Sequence, residues 1–251
     1  MTRTPLRWIG VAGVVAIALT GCGTSSPRTT VDTFAPVLSG AAAPSRSDSL
    51  VAGAKLATEV ISAVRSARSF RVVATSTLKG LTITADMRYG VTGSSGTIKI
   101  NGGTVQLIRA GVYTFVKAPD AFWQLELSKA QAAAALALIG GKWVRLASGN
   151  ASLAELIAFT DKQQVIEQLV SNKNPAFMHE GAKKKIGGVQ TIPLTDVADG
   201  SIIYVAASGT PLPVRAITGR SSNGTATFSS WNAPFSVQAP PAAQVYVLPV
   251  G

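Results

Sequence analysis

Cysteine occurs once and histidine once in the 251 residues. A single thiol excludes a disulfide framework, so an exported chain of this kind must draw its stability from a packed core. One His and one Cys cannot supply the ligands of a structural zinc site, and no metal or cofactor is expected. His179, the only histidine, falls inside an expected strand and reads as a surface or half-buried residue. No G-x-S-x-G elbow accompanies it, so the chain offers a hydrolase little to work with. Acidic residues are scarce as well, 12 against 23 basic ones, which leaves few carboxylates to pair for acid and base chemistry. Gly140-Gly141-Lys142 lacks the upstream glycine and the following Ser or Thr of a phosphate loop. The expectation is therefore a binding protein and not an enzyme.

The one cysteine lies in "IALTGCGTSS". Arg3 and Arg7 precede an apolar run from Trp8 to Leu19, the layout of a secretory signal and too short for a comfortable transmembrane helix. Leu19-Thr20-Gly21-Cys22 resembles the bacterial lipobox, in which the cysteine sulfur is acylated and the preceding peptide removed. That resemblance makes residues 1–21 a lipoprotein signal peptide and Cys22 the lipidated first residue of the mature chain, held on the extracytoplasmic face of the cell membrane. Ordinary cleavage nearby, leaving a stray thiol, is the alternative. A catalytic thiol needs folded surroundings to lower its pKa, and none flank Cys22.

The formal net charge is +11, of which the signal removes two positive charges, Arg3 and Arg7. Such a chain favours anionic surfaces, headgroups or acidic glycans, although plain solubility also accounts for it. No nucleic-acid recognition motif is present, and the basic residues are dispersed. The densest cluster is Lys183-Lys184-Lys185, read either as a partner-binding patch or as an edge that resists aggregation.

Residues 22–47 are rich in Pro, Ser, Thr, Ala and Gly and read as a tether with a root-mean-square reach of roughly 25 to 30 Å. From residue 48 to 251 a single domain is expected. It opens with a helix whose Leu50, Ala54, Ala57, Ile61 and Val64 recur at three- and four-residue steps. The period then falls to two. Leu81, Ile83, Ala85, Met87 and Tyr89 alternate with Thr82, Thr84, Asp86 and Arg88, as in a strand with one wet face. "TIKIN", "TVQLIR" and "VYTFVK" continue the meander, separated by glycine-bearing turns.

Helices follow. Ser128 with Gln131 has capping-box spacing, as do Ser152 with Glu155 and Thr160 with Gln163. The last two predict short helices, one carrying Leu153, Leu156, Ile157 and Phe159, the other Val165, Ile166, Leu169 and Val170. More strands come after Pro175, punctuated by Gly187-Gly188, Asp199-Gly200, Gly209-Thr210-Pro211 and Asn223-Gly224, the last a type I′ turn signal. The tail beyond Pro234 is proline-rich and reads as irregular. The fold class is α+β: a large curved antiparallel sheet of about ten strands, with helices before and within it. Trp123, Trp143 and Trp231 read as core.

"SARSFRV", "GVYTFVK", "GKWVRL", "GGVQTIPLTD", "PLPVRAI" and "FSSWN" together resemble the actinobacterial LppX/LprG lipoproteins of the LolA/LolB-like superfamily. The resemblance covers most of the chain after the tether and rests on packing and turn motifs. It implies an antiparallel half-barrel with several helices on its concave face, a carrier of lipids or acylated glycolipids with an apolar cavity and no cofactor; a monomer with envelope transport proteins as partners is expected. The alternative is a non-carrier envelope scaffold that works through its basic surface. From alternation alone, the cavity residues expected are Ile83, Met87, Val105, Leu107, Tyr113 and Phe115 on the sheet, with Leu156 and Phe159 on the helices.

Overall fold

A computed structural model describes residues 46–78, 80–100, 102–126, 136–146, 153–170, 174–219 and 223–247. The signal segment, Cys22, most of the tether, Ser152 and the Ser128–Gln131 pair lie outside the described residues.

The first helix, α1 (Arg46–Ser66), has Asp48 in its first turn and Arg65 in its last, each of the sign that the helix dipole favours there. Its buried stripe is Ser49, Gly53, Ala57, Val60 and Val64, with Leu50, Ala54 and Ile61 on the flank. This corrects the expected stripe by about one position. The cause is Gly53, where a Cβ would collide with Met178 O and sit 2.8 Å from Glu180 N. The helix therefore rests on strand backbone at the one position that has no side chain.

Five strands then run as an antiparallel meander: β1 (Phe70–Leu78), β2 (Leu81–Tyr89), β3 (Gly93–Ile100), β4 (Gly103–Ala110) and β5 (Tyr113–Lys117). A short helix, α2 (Asp120–Glu126), precedes β6 (Trp143–Leu146). Two helices, α3 (Ala154–Thr160) and α4 (Lys162–Val170), meet at Asp161. The second half supplies β7 (Met178–Glu180), β8 (Lys184–Ile186), β9 (Val189–Asp196), β10 (Ile202–Ala206), β11 (Pro213–Ile217), β12 (Asn223–Ser229) and β13 (Val245–Val247).

All thirteen described strands belong to one sheet, in the order β13-β6-β5-β4-β3-β2-β1-β12-β11-β10-β9-β7, with β8 on the same edge of β9 as β7. Every pairing is antiparallel except β13 with β6. Because β1 joins β12, the two halves of the chain form one continuous surface. Along β2 and β1, Ile83, Ala85, Met87 and Tyr89 share a face with Phe70, Val72 and Ala74, and α1, α3 and α4 pack on it in one apolar core. The opposite, outer face carries Thr75, Thr77, Thr82, Thr84, Asp86 and Arg88, as the alternation predicts.

Asn223-Gly224 is not a turn. Both residues open β12, pairing with Thr77 and Ser76, and Gly224 N donates to Thr218 Oγ1 at 2.7 Å. Gly187 and Gly188, by contrast, hold φ of 54° and 86° between β8 and β9, the two positive values a type I′ turn requires. The proline-rich tail is not wholly irregular, since it returns to the sheet as β13 along the free edge of β6.

Candidate functional site: the apolar interior and its helical lid

Leucine, isoleucine, valine and phenylalanine fill the inner face because each strand turns every second side chain toward the helices. Six of the expected cavity residues are there. Met87, Leu107, Val105, Leu156, Phe159 and Ile83 all belong to the buried core, Met87 being wholly enclosed. Tyr113 and Phe115 are not on that face, although Phe115 is itself buried. Register pairs Leu107 with Val116, so Val116 takes the inward position and Phe115 and Tyr113 face outward beside Arg145. Tyr113 is 48 % exposed, and the Arg145 guanidinium lies 4.8 Å from its ring centre. The inward reading of these two residues is corrected by one step of register, which reverses every side chain of a strand.

Among the described residues, one apolar cavity lies elsewhere. Val60, Ile61 and Val64 of α1, Leu169 and Val170 of α4, and Met178, Leu194 and Ile203 of the sheet enclose a cavity of about 20 Å³. That volume matches roughly one water, and the wall offers no polar partner, so the cavity stays dry. An apolar hole of about 150 Å³ admits only a benzene-sized guest. A cavity of this size, among the described residues, has no room for an acyl chain unless α1 and α4 separate.

The lid made by those helices is fixed at one corner and lightly tied elsewhere. At the α3–α4 corner, Tyr89 Oη donates to Phe159 O at 2.8 Å and Ser94 Oγ to Thr160 O at 2.7 Å. Thr160 Oγ1 donates to Ile157 O at 2.7 Å and lies 3.2 Å from Thr114 Oγ1. The carbonyls that end α3 are thereby satisfied within the core. Burial, with the negative charge of Asp161 nearby, pushes the Tyr89 hydroxyl above its ordinary range and keeps it a donor. The expected Thr160–Gln163 capping box gives way to Asp161, whose Oδ1 accepts from Gln163 N at 2.9 Å and Gln164 N at 3.1 Å. Asp161 also meets Arg109 at 3.0 Å.

Across the open side, Arg65 of α1 pairs in two places with Glu167 of α4, at 3.2 and 3.1 Å, both side chains about half exposed. Lys162 Nζ donates to Ala67 O at 3.0 Å and Arg68 O at 3.3 Å, closing the C-terminal end of α1 with a positive charge. Burial lowers the Lys162 pKa. Solvent-exposed pairs of this kind hold weakly, by about 0 to 1 kcal/mol. The polar ties of the lid are thus buried at its Asp161 corner and exposed at its α1–α4 seam.

His179 sits on β7, partly buried and paired in register with Thr195. Lys183, Lys184 and Lys185 are exposed, the last two on edge strand β8, where charge discourages strand-to-strand association. Trp231 stacks on Phe70 at 5.0 Å and Phe228 at 5.9 Å, and its Nε1 donates to Pro213 O at 2.8 Å. Ser230 and Asn232, on either side of it, take φ of 54° and 57°, the left-handed turn that aims the indole inward. Among the described residues, no group of three or more His, Cys, Asp or Glu is placed to hold a metal ion. Among the same residues no helix is long and apolar enough to cross a membrane.

The chain is similar in fold to LprF from Mycobacterium bovis. The two share 14 % identity at a TM-score of 0.53, covering 76 % of this chain and 97 % of LprF. Mycobacterium tuberculosis lipoprotein LppX aligns at 20 % identity and a TM-score of 0.47, over 75 % of this chain and 99 % of LppX. No family model and no curated protein matches the chain. The α+β sheet with helices on one face, expected from the sequence and from its resemblance, is the observed fold, extended from about ten strands to thirteen.

Proposed function

We propose that the protein is a lipid-anchored envelope protein that shelters one hydrophobic chain between α1, α4 and the inner face of the sheet. The observation that supports this reading most is the dry cavity on the α1–α4 seam, walled only by apolar side chains and spanned by half-exposed polar ties. A solid domain gains nothing from leaving such a seam. A carrier needs one, because its guest must enter without unfolding the sheet. The fold shared with LprF is consistent with this role. Export and acylation at Cys22 complete the reading, and the chemistry proposed is binding, with no reaction.

Uptake of a fluorescent fatty-acid probe by the unacylated Cys22→Ser chain tests it. Probe fluorescence should rise with protein and saturate. Ile203→Trp, which fills the cavity, should abolish the rise while circular dichroism still reports the folded sheet. A folded Ile203→Trp protein that takes up probe as well as its parent would sink the assignment of the seam.

A further inference from the structure

Hairpin tips ordinarily carry Gly, Asn, Asp or Ser, because those residues suit the backbone and meet water. Two neighbouring tips here carry valine. Gly90 N donates to Gly93 O at 2.8 Å, which puts Val91 and Thr92 at the apex between β2 and β3. Between β4 and β5 the apex is Gly111-Val112, with Gly111 at φ 60°. Gly111 N donates to Thr92 O at 3.2 Å, so the two apices form one unit. Val91 is 74 % exposed and Val112 75 %, and Tyr113 follows at the same end.

Positive charge surrounds this apolar tip. Arg68 shares a surface groove with Val91, Asn232 and Phe235. Arg88 is held over the Phe235 ring at 5.7 Å, and Arg145 over Tyr113 at 4.8 Å. None of the three makes a salt bridge among the described residues. Asp86, which also feels the charge of Arg88, is engaged by Arg71, and Asp161 by Arg109. Two exposed valines, an amphipathic tyrosine ring and three guanidiniums outside any described salt bridge match the chemistry of a bilayer interface with anionic headgroups. There apolar tips sink below the phosphates, while Arg and Tyr stay at their level.

We propose that the Val91–Val112 tip is a membrane-docking surface that recognises anionic lipid headgroups, a contact separate from the anchor at Cys22. This inference goes beyond the carrier reading and does not depend on whether the cavity is ever filled.

The test uses the full chain with Cys22→Ser, which removes the only thiol, and Val112→Cys labelled with an environment-sensitive dye. Thr77→Cys, an exposed position on the outer face near the opposite end of β1, is the control. Vesicles of phosphatidylcholine mixed with phosphatidylglycerol should shift the emission at residue 112 to the blue, and vesicles of phosphatidylcholine alone should shift it far less. The label at residue 77 should stay unchanged in both. Arg68→Glu or Arg145→Glu should weaken the shift, each loss of an arginine costing about fivefold in apparent vesicle affinity. Four results would overturn the proposal: no shift at residue 112, equal shifts at residues 112 and 77, equal shifts with both kinds of vesicle, or a shift that needs no vesicles and grows with protein concentration. The last would assign the tip to a second copy of the chain.

Discussion

Tyr89 shows how much one buried hydroxyl can hold. It is fully enclosed, its ring stacks 4.8 Å from Phe70, and its proton is committed to Phe159 O at the corner of the lid. Tyr89→Phe leaves that carbonyl without its donor and should cost about 1–3 kcal/mol by chemical denaturation. Its pH signature has a definite sign. The folded hydroxyl resists ionisation while the unfolded one ionises near 10.0. The stabilisation is therefore complete below that value and declines as pH rises past it. Lys162 shifts in the opposite sense, its folded pKa being lowered, and adds stability as pH approaches the ordinary lysine value of 10.5. Melting curves of wild type and Tyr89→Phe across the alkaline range separate the two, because the difference between the proteins isolates the tyrosine. The difference should shrink above pH about 10. A difference independent of pH would mean that Tyr89 is not sealed in the core.

Gly53 gives a second test at this scale, one in which two principles predict opposite signs. Helix propensity favours Ala over Gly by about 1 kcal/mol. The contact with the Met178 and Glu180 backbone favours Gly, since a methyl there must push α1 off β7. Gly53→Ala should destabilise, by about 1–3 kcal/mol. A raised melting temperature would show that α1 does not rest on β7 as described. The sequence pointed to neither residue for these roles. Tyr89 was legible as inward-facing from its alternation with Arg88, but its partner is 70 residues distant. Nothing in the helical pattern marks Gly53, because periodicity registers side chains and not the backbone they leave room for.

At the level of elements, legibility followed local chemistry. Strand β2 was readable because Leu81 to Tyr89 alternate without error, and the Gly187-Gly188 turn because two positive φ values demand it. Asn223-Gly224 misled, since the same dipeptide pairs comfortably inside a strand when Thr218 Oγ1 receives Gly224 N. The tail misled for the opposite reason. Pro234, Pro240 and Pro241 forbid a long ladder, and only three residues of β13 pair, in parallel, with β6. A three-residue strand has no period to detect. Its role is to cover an edge. Truncation after Ala239 should expose β6, lower the melting temperature and produce concentration-dependent association in sedimentation velocity. An unchanged, monomeric truncation product would show that β13 protects nothing.

For the molecule as a whole, the apolar alternation of the strands commits the chain to a sheet that must be covered by helices. That much was legible, as was the list of inward residues on β2 and β4. The position of the cavity was not, because it arises where α1 fails to close against α4 over Met178, Leu194 and Ile203. Alternation identifies the inward face. It carries no information about which part of that face two distant helices leave uncovered. The proposed uptake requires that this seam, about 20 Å³ as it stands, open to admit a chain.

Native mass spectrometry of the Cys22→Ser protein, purified from a lipid-containing host and compared before and after solvent extraction, tests that claim most directly. The account predicts a non-covalent adduct of lipid mass that extraction removes and that reappears when the folded protein is mixed with lipid. A protein that always carries the mass of its chain alone, before extraction and after mixing, would contradict it.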